Sequence, residues 1–193
     1  MRRLQLVLSA AIGAASLLAG AAAARDMDPL SALFNPAPVE EGRPQASAIA
    51  RELIAYSGPY GAGTIVVSTA ERRLYYVLGG GQAIRYGVGV GRPGFEWSGS
   101  RYITSKREWP DWTPPAQMLR RRPDLPRHMA GGLSNPLGAR AMYISGTLYR
   151  IHGSNEPETI GQAVSSGCIR MTNDDVTDLY SRVHVGTRVV VMR

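Results

Sequence analysis

The chain has 193 residues and a formal net charge of +7, with 44% hydrophobic and 19% charged residues, which suits one domain plus processing segments. One cysteine, Cys168, excludes an internal disulfide, and the three scattered histidines beside it give none of the zinc spacings. The basic balance points to anionic surfaces, and without a basic–aromatic motif nucleic acid is not the expected partner.

Met1 to Ala24 reads as a secretory leader. Arg2 and Arg3 form a basic start, Leu4 to Leu18 an apolar run, and Ala22-Ala23-Ala24 a small-residue cleavage site. An uncleaved anchor is the alternative, because counting on to Ala24 nearly reaches the roughly 20 residues a span needs. Leu17-Leu18-Ala19-Gly20 is followed by Ala21, not by the cysteine of a lipoprotein. A cleaved leader makes this a protein of the periplasm or cell envelope. Without Arg2 and Arg3 the mature charge is 7 − 2 = +5 by the same count. An unpaired thiol in an oxidising compartment is a liability unless it is used, which favours a working role for Cys168.

From Asp26 to Pro44, prolines and acidic residues predict a linker. Ala46 to Tyr56 is expected as a short helix, with Ile49 and Leu53 four apart. TIVVS, RLYYVL and AIRYGVGV then predict strands separated by turns at 70–72 and 79–81, with a bend at Gly87, Gly89 and Gly91. A fourth strand is expected over Arg101 to Ser105. Closely spaced strands imply a mainly β fold, a sandwich or a partly closed barrel. Glu108 to Pro136 is long, proline-rich and without period, as expected of a functional lid. Trp109, Trp112 and Met118 suit a wall packed beside a cleft. Arg120-Arg121-Arg122 is read as a solvated loop that touches substrate carboxylates, and His128 as a surface histidine. Asn135-Pro136-Leu137-Gly138 turns into strands over Ala141 to Ile144 and Leu148 to His152. The one C-terminal-region helix begins at Thr172 or Asn173, with Asp174 and Asp175 in its first turn. Val176, Leu179, Tyr180 and Val183 make its apolar face, Gly186 its stop, and His184 caps its end. A last strand runs from Thr187 to Met192.

The segment IHGSNEPETIGQAVSSGCIRM, residues 151–171, carries the chemistry. A lone cysteine with a histidine separated in sequence but adjacent in the fold is a nucleophile pattern. The alternative is a small buried hydrophobe, since free cysteine is among the most buried residue types. Ser-Ser-Gly-Cys is a poor core sequence, and Gly167 allows close backbone approach. Cys168 is therefore expected to be partly accessible, with a depressed thiol pKa supplied by a neighbouring His152.

These residues resemble the active-site signature of the L,D-transpeptidase (YkuD-type) family, a His-Gly pair followed by Ser/Thr-x-Gly-Cys-aliphatic-Arg/Asn. The resemblance extends over Gly63 to Met192 through GTIVVS, RLYYVL, YGVGVGRPG, the K-x-x-x-P-x-W-x-P-P segment from Lys106 to Pro115, and NPLGARAMYI. It implies a catalytic domain over 63–193, which leaves 25–62 as the linker with its expected short helix. The implied fold is a YkuD-type β-sandwich or partly closed barrel with a lid loop. Ser166 stands where many members carry a second histidine, which bears on substrate contacts. The resemblance implies Cys168 as nucleophile, His152 as proton donor and acceptor, and Gly153 as the carbonyl that orients it; backbone N–H groups around Gly167 and Cys168 are the expected oxyanion hole. Arg170, Ser166, Ser165 and Trp112 are the implied substrate contacts, with Arg170 otherwise paired to Asp174 or Asp175. Peptidoglycan stem peptides are the implied substrate, an envelope protein an alternative acceptor, and carbapenems the inhibitors. No cofactor or metal is expected. A hydrolase with the same cysteine, or a non-catalytic wall-binding module, are the competing functions.

Overall fold

The structure is a computed structural model, and residues 49–193 are described. The leader expected over residues 1–24 and the linker as far as residue 48 lie outside them. Runs of β-branched and aromatic residues between short turns make the chain mostly extended. The strands are β1 (Glu52–Ala55), β2 (Ile65–Ser68), β3 (Arg73–Gly79), β4 (Gln82–Gly87), β5 (Val90–Gly91), β6 (Gly99–Glu108), β7 (Arg140–Ile144), β8 (Arg150–His152), β9 (Ala163–Ser165), β10 (Ile169–Arg170) and β11 (Arg188–Met192). The α-helices among the described residues are α1 (Ala116–Arg121) and α2 (Asn173–Arg182).

Nine strands join in one curled sheet, ordered β1-β4-β3-β2-β11-β6-β7-β8-β10, and β5 pairs with β9. The pairs β2–β11 and β8–β10 are parallel, and the other pairs of the large sheet are antiparallel. At the far end, Arg170 of β10 exchanges two backbone hydrogen bonds of 2.9 Å with Gly89. Gly89 lies two residues past the end of β4, so the sheet curls back toward its own start. This is the partly closed, mainly β architecture expected.

The core lies inside the curl, where Ile65, Leu74, Ile103, Met142, Ile151 and Val189 are fully or almost fully buried. Val176 and Leu179 of α2, and Val183 just past its end, close it, each at 0% exposure, as the helical period predicts. Burying a side chain of this kind stabilises by roughly 1.5–3 kcal/mol. The α2 N-cap is Thr172, whose hydroxyl accepts from the Asp175 N–H at 3.2 Å.

The other end of α2 differs from expectation. The helix stops at Arg182, before Gly186, and its last carbonyls are taken by Lys106 rather than His184. Lys106 Nζ donates to Tyr180 O at 2.7 Å and Val183 O at 2.5 Å, and sits 4.0 Å from the Tyr180 ring centre. Hydrogen bonds to a charged group contribute about 1.5–3 kcal/mol. Lys106→Met is therefore expected to lower unfolding stability by about 2 kcal/mol in urea titrations. An unchanged midpoint and slope would show that water serves those carbonyls as well.

Two further expectations are corrected. In place of the helix expected over Ala46 to Tyr56, the described residues of that range form strand β1 over Glu52–Ala55. The outer edge of β4 presents unpaired backbone groups, and residues 52–55 satisfy them in antiparallel register, with Leu53 opposite Ile84. Leu53 is 61% exposed, so its spacing from Ile49 is no buried face. The 108–136 segment is not wholly irregular: β6 runs on to Glu108, and α1 forms within the lid. Asn135, fully buried, fastens the lid by donating to the carbonyls of Pro110, Met129 and Ala130 and accepting from Leu137 N–H.

Candidate active site

The site is built on the parallel pair β8–β10, in which Ile169 pairs with Ile151 and Arg170 with His152. Ile151 and Ile169 face the core, at 0% and 1% exposure. Alternation along each strand puts Arg150, His152 and Arg170 on the opposite face. One step before Ile169, Cys168 falls beside Arg150. All four side chains line one cavity of about 1200 Å³. The fifteen residues between His152 and Cys168 thus close a loop whose two ends are neighbouring strands.

His152 is buried, and its Nδ1 donates to Gly153 O at 2.5 Å, leaving Nε2 as the free ring nitrogen. Gly153 makes this possible by close packing. A Cβ there would lie 2.3 Å from Asn173 Oδ1, which already accepts the Ala139 N–H at 2.9 Å. Burial pushes the imidazole pKa down to about 3 against the carbonyl's opposing effect, with the Arg170 and Arg150 charges adding to the fall. A histidine that refuses a proton when folded and accepts one near pH 6.5 when unfolded makes folding stability fall as pH drops between those values. The expected slope is about 1.4 kcal/mol per pH unit at most. Thermal midpoints at pH 7 and pH 5 should converge in His152→Gln relative to the natural chain; equal losses in both would contradict this account.

Cys168 sits on a turn held by its neighbours. Ser165 Oγ donates to Cys168 O at 2.6 Å and accepts the Gly167 N–H at 3.1 Å. Trp97 Nε1 donates to Gly167 O at 2.8 Å and its ring stacks on Tyr149, centres 5.3 Å apart. Gly167 has φ +108°, and a Cβ on it would lie 2.2 Å from the Tyr149 ring. No side chain fits there. Of the two N–H groups expected at the oxyanion hole, that of Gly167 is engaged by Ser165 Oγ, and that of Cys168 has no partner among the described residues. Ser165 is likewise no free substrate contact, since its buried hydroxyl is used on the turn. Cys168 is half-buried, as expected. Its thiol is not depressed, however: burial pushes the pKa up and outweighs the Arg150 amide and guanidinium that pull it down. The resting pair is a neutral thiol and a neutral imidazole.

Apolar and cationic walls enclose the cavity. Trp112, Pro115, Met118 and Leu125 of the lid face Leu137, Tyr149 and Val164. Trp112 is in this wall as expected, held by backbone bonds of 2.8 Å in both directions with Met129. Arg170 lines the cavity but pairs with Glu156 at 2.8 Å, not with Asp174 or Asp175. Ser166 accepts a hydrogen bond of 3.1 Å from Arg92 Nη1. His128 is exposed, 3.5 Å from Asp111, as a surface histidine should be. Among the described residues no three His, Cys, Asp or Glu side chains gather as a metal site would require.

Residues 62–191 match the L,D-transpeptidase catalytic domain (YkuD) family. The chain belongs to that family. The probable L,D-transpeptidase ErfK/SrfK of Escherichia coli is 41% identical over 136 residues, which covers 66% of this chain and 43% of that protein. The chain therefore spans less than half the length of such curated relatives. A Brucella melitensis crystal structure, named a probable carnitine operon oxidoreductase, is 44% identical with a TM-score of 0.52, covering 76% of this chain and 96% of that one. L,D-transpeptidase 3 of Mycobacterium tuberculosis, solved with a faropenem-derived adduct, has the same fold at 18% identity and a TM-score of 0.51, over 67% of this chain and 60% of that one. The Gly87-x-Gly89-x-Gly91 run of this transpeptidase domain stays in extended chain and opens no helix, unlike a dinucleotide-binding fingerprint.

Among the transpeptidase domain's cavity residues, sequence reasoning missed Arg92, Phe95 and Arg150, and placed Arg121 and Arg122 on a loop. Arg92 and Arg121 approach the Phe95 ring to 4.2 and 5.4 Å, joining the body to α1 of the lid. Arg121 and Arg122 line the cavity from α1 and its end, not from a free loop. Arg150 had a legible signal, since it precedes His152 by two residues on one strand. Arg92 and Phe95 had none, because only the fold carries the bend after β5 to the Cys168 turn.

Proposed function

We propose that this chain is an exported peptidoglycan L,D-transpeptidase of the cell envelope. The observation that carries the reading is the convergence of Cys168, His152 and the arginines on one face of β8–β10. His152, with Nδ1–H held by Gly153 O, receives the Cys168 proton on Nε2. The sulfur attacks the carbonyl between diaminopimelate and D-alanine of a stem tetrapeptide. The oxyanion meets the Cys168 N–H, an electrostatic contact that strengthens as charge develops. Collapse breaks the C–N bond, and Nε2–H returns its proton to the departing D-alanine amine. An acceptor amine then attacks the thioester, loses its proton to His152 and releases the sulfur. The acceptor is another stem or an amine on an envelope protein.

A neutral resting pair suits this chemistry, because charge separates only when a carbonyl carbon is present to take up the sulfur's electrons. Carboxylates of the stem meet Arg92, Arg121 and Arg170, and Trp112 closes the lid side. A carbapenem offers the same sulfur a strained carbonyl, and intact-mass measurement should find one adduct, on Cys168.

Purified muropeptides incubated with the mature protein test the reading. Cross-linked stem dimers with free D-alanine are expected. Tripeptides without dimers would assign hydrolysis in place of transfer, and unchanged muropeptides would overturn both.

A further inference from the structure

Five arginines line the cavity, and they are not alike. Arg122 is paired with Asp124 at 2.7 Å and Arg170 with Glu156 at 2.8 Å. Arg92 and Arg121 stack on Phe95. Arg150 has no carboxylate partner among the described residues. Its guanidinium lies 5.0 Å from the Tyr143 ring centre and its Nη1 donates to Leu148 O at 3.3 Å. Its Nε–H is buried and has no hydrogen-bond partner. Leaving a buried donor on a charged group unpaired is costly, because its lost hydration is not replaced. An orphan of this kind calls for an explanation in function.

The position supplies one. By the parallel register, Arg150 stands directly beside Cys168, on the same face of the strand pair as His152. We propose that Arg150 is the residue that stabilises the Cys168 thiolate, its Nε–H and positive charge receiving the sulfur's negative charge as His152 takes the proton. The inference rests on the reading of Cys168 as nucleophile. No proton leaves Arg150: the S–H proton goes to His152 Nε2, and the sulfur's electron pair goes on to the carbonyl carbon. Arg150 opposes the burial that raises the thiol's pKa, and its charge also disfavours protonated His152. An imidazolium so disfavoured gives its proton readily to the leaving amine, so one cation serves both halves of the acylation step. On this proposal Arg150 acts on the reacting sulfur itself and is a catalytic residue in that sense.

Iodoacetamide alkylation of the chain's single cysteine, followed from pH 5 to pH 10, reads the thiolate without any peptidoglycan. In Arg150→Gln the whole profile is expected to move up by about one pH unit, which is read as alkylation about tenfold slower at each pH on its rising limb. Arg150→Met keeps the aliphatic stem and is the second neutral variant, with the same shift expected. Arg150→Lys, which keeps the charge but not the planar fork, should fall between. Thermal midpoints verify folding. An alkylation profile identical to the natural chain's in a folded neutral variant overturns the proposal. A shifted profile together with muropeptides left untouched supports Arg150 and removes the peptidoglycan reading instead.

Discussion

Cys168→Ala is expected to form no acyl-enzyme with a stem tetrapeptide or a carbapenem while keeping its fold. Cys168 is the only cysteine in the chain, so no second thiol can substitute. The turn around it depends on Ser165 Oγ, Gly167 and Trp97, whose bonds run through backbone atoms that alanine retains. Removing one half-buried sulfur from such a turn costs about 1 kcal/mol or less. Intact-protein mass after exposure to imipenem measures the loss, and circular dichroism checks the fold. Cross-linking by Cys168→Ala at the natural rate would end the mechanism.

The second large effect belongs to His152. A general acid–base group contributes roughly 10²- to 10⁴-fold in rate, and His152→Ala should lose about that in single-turnover acylation. Ser166→Ala should lose far less, although Ser166 stands where many family members carry a second histidine. A serine hydroxyl accepts no proton from a thiol near neutral pH, and in this fold it accepts a hydrogen bond from Arg92. Its loss frees that guanidinium and should change substrate affinity more than the chemical step. Equal damage to acylation from both variants, with both folded, would require the roles to be reassigned.

Much of the fold was legible because local rules and the tertiary structure agree. Val176 and Leu179 of α2 and Val183 at its C-cap are buried as the period requires, and Thr172 caps the helix whose first turn carries Asp174 and Asp175. β1 was misread because two apolar residues four apart fit a helix, while the free edge of β4 offered a better use for the backbone. The end of α2 was misread because Lys106, over seventy residues away, supplies a better cation for its carbonyls than His184 does.

By itself the sequence determined the chemical inventory: one thiol, a His-Gly pair whose histidine stands fifteen intervening residues before it, a glycine at the nucleophile turn, and the family these imply. Those features are local, since residue type and short spacing state them completely. The tertiary structure alone decided the charge states and the partners. Burial, which no motif encodes, sets a neutral thiol against a neutral imidazole. Strand pairing brings Arg150 beside Cys168, gives Arg170 to Glu156 and sets Arg92 on Ser166. These are contacts between segments distant in the chain, made by hydrogen-bond register and packing rather than by any residue's own preference.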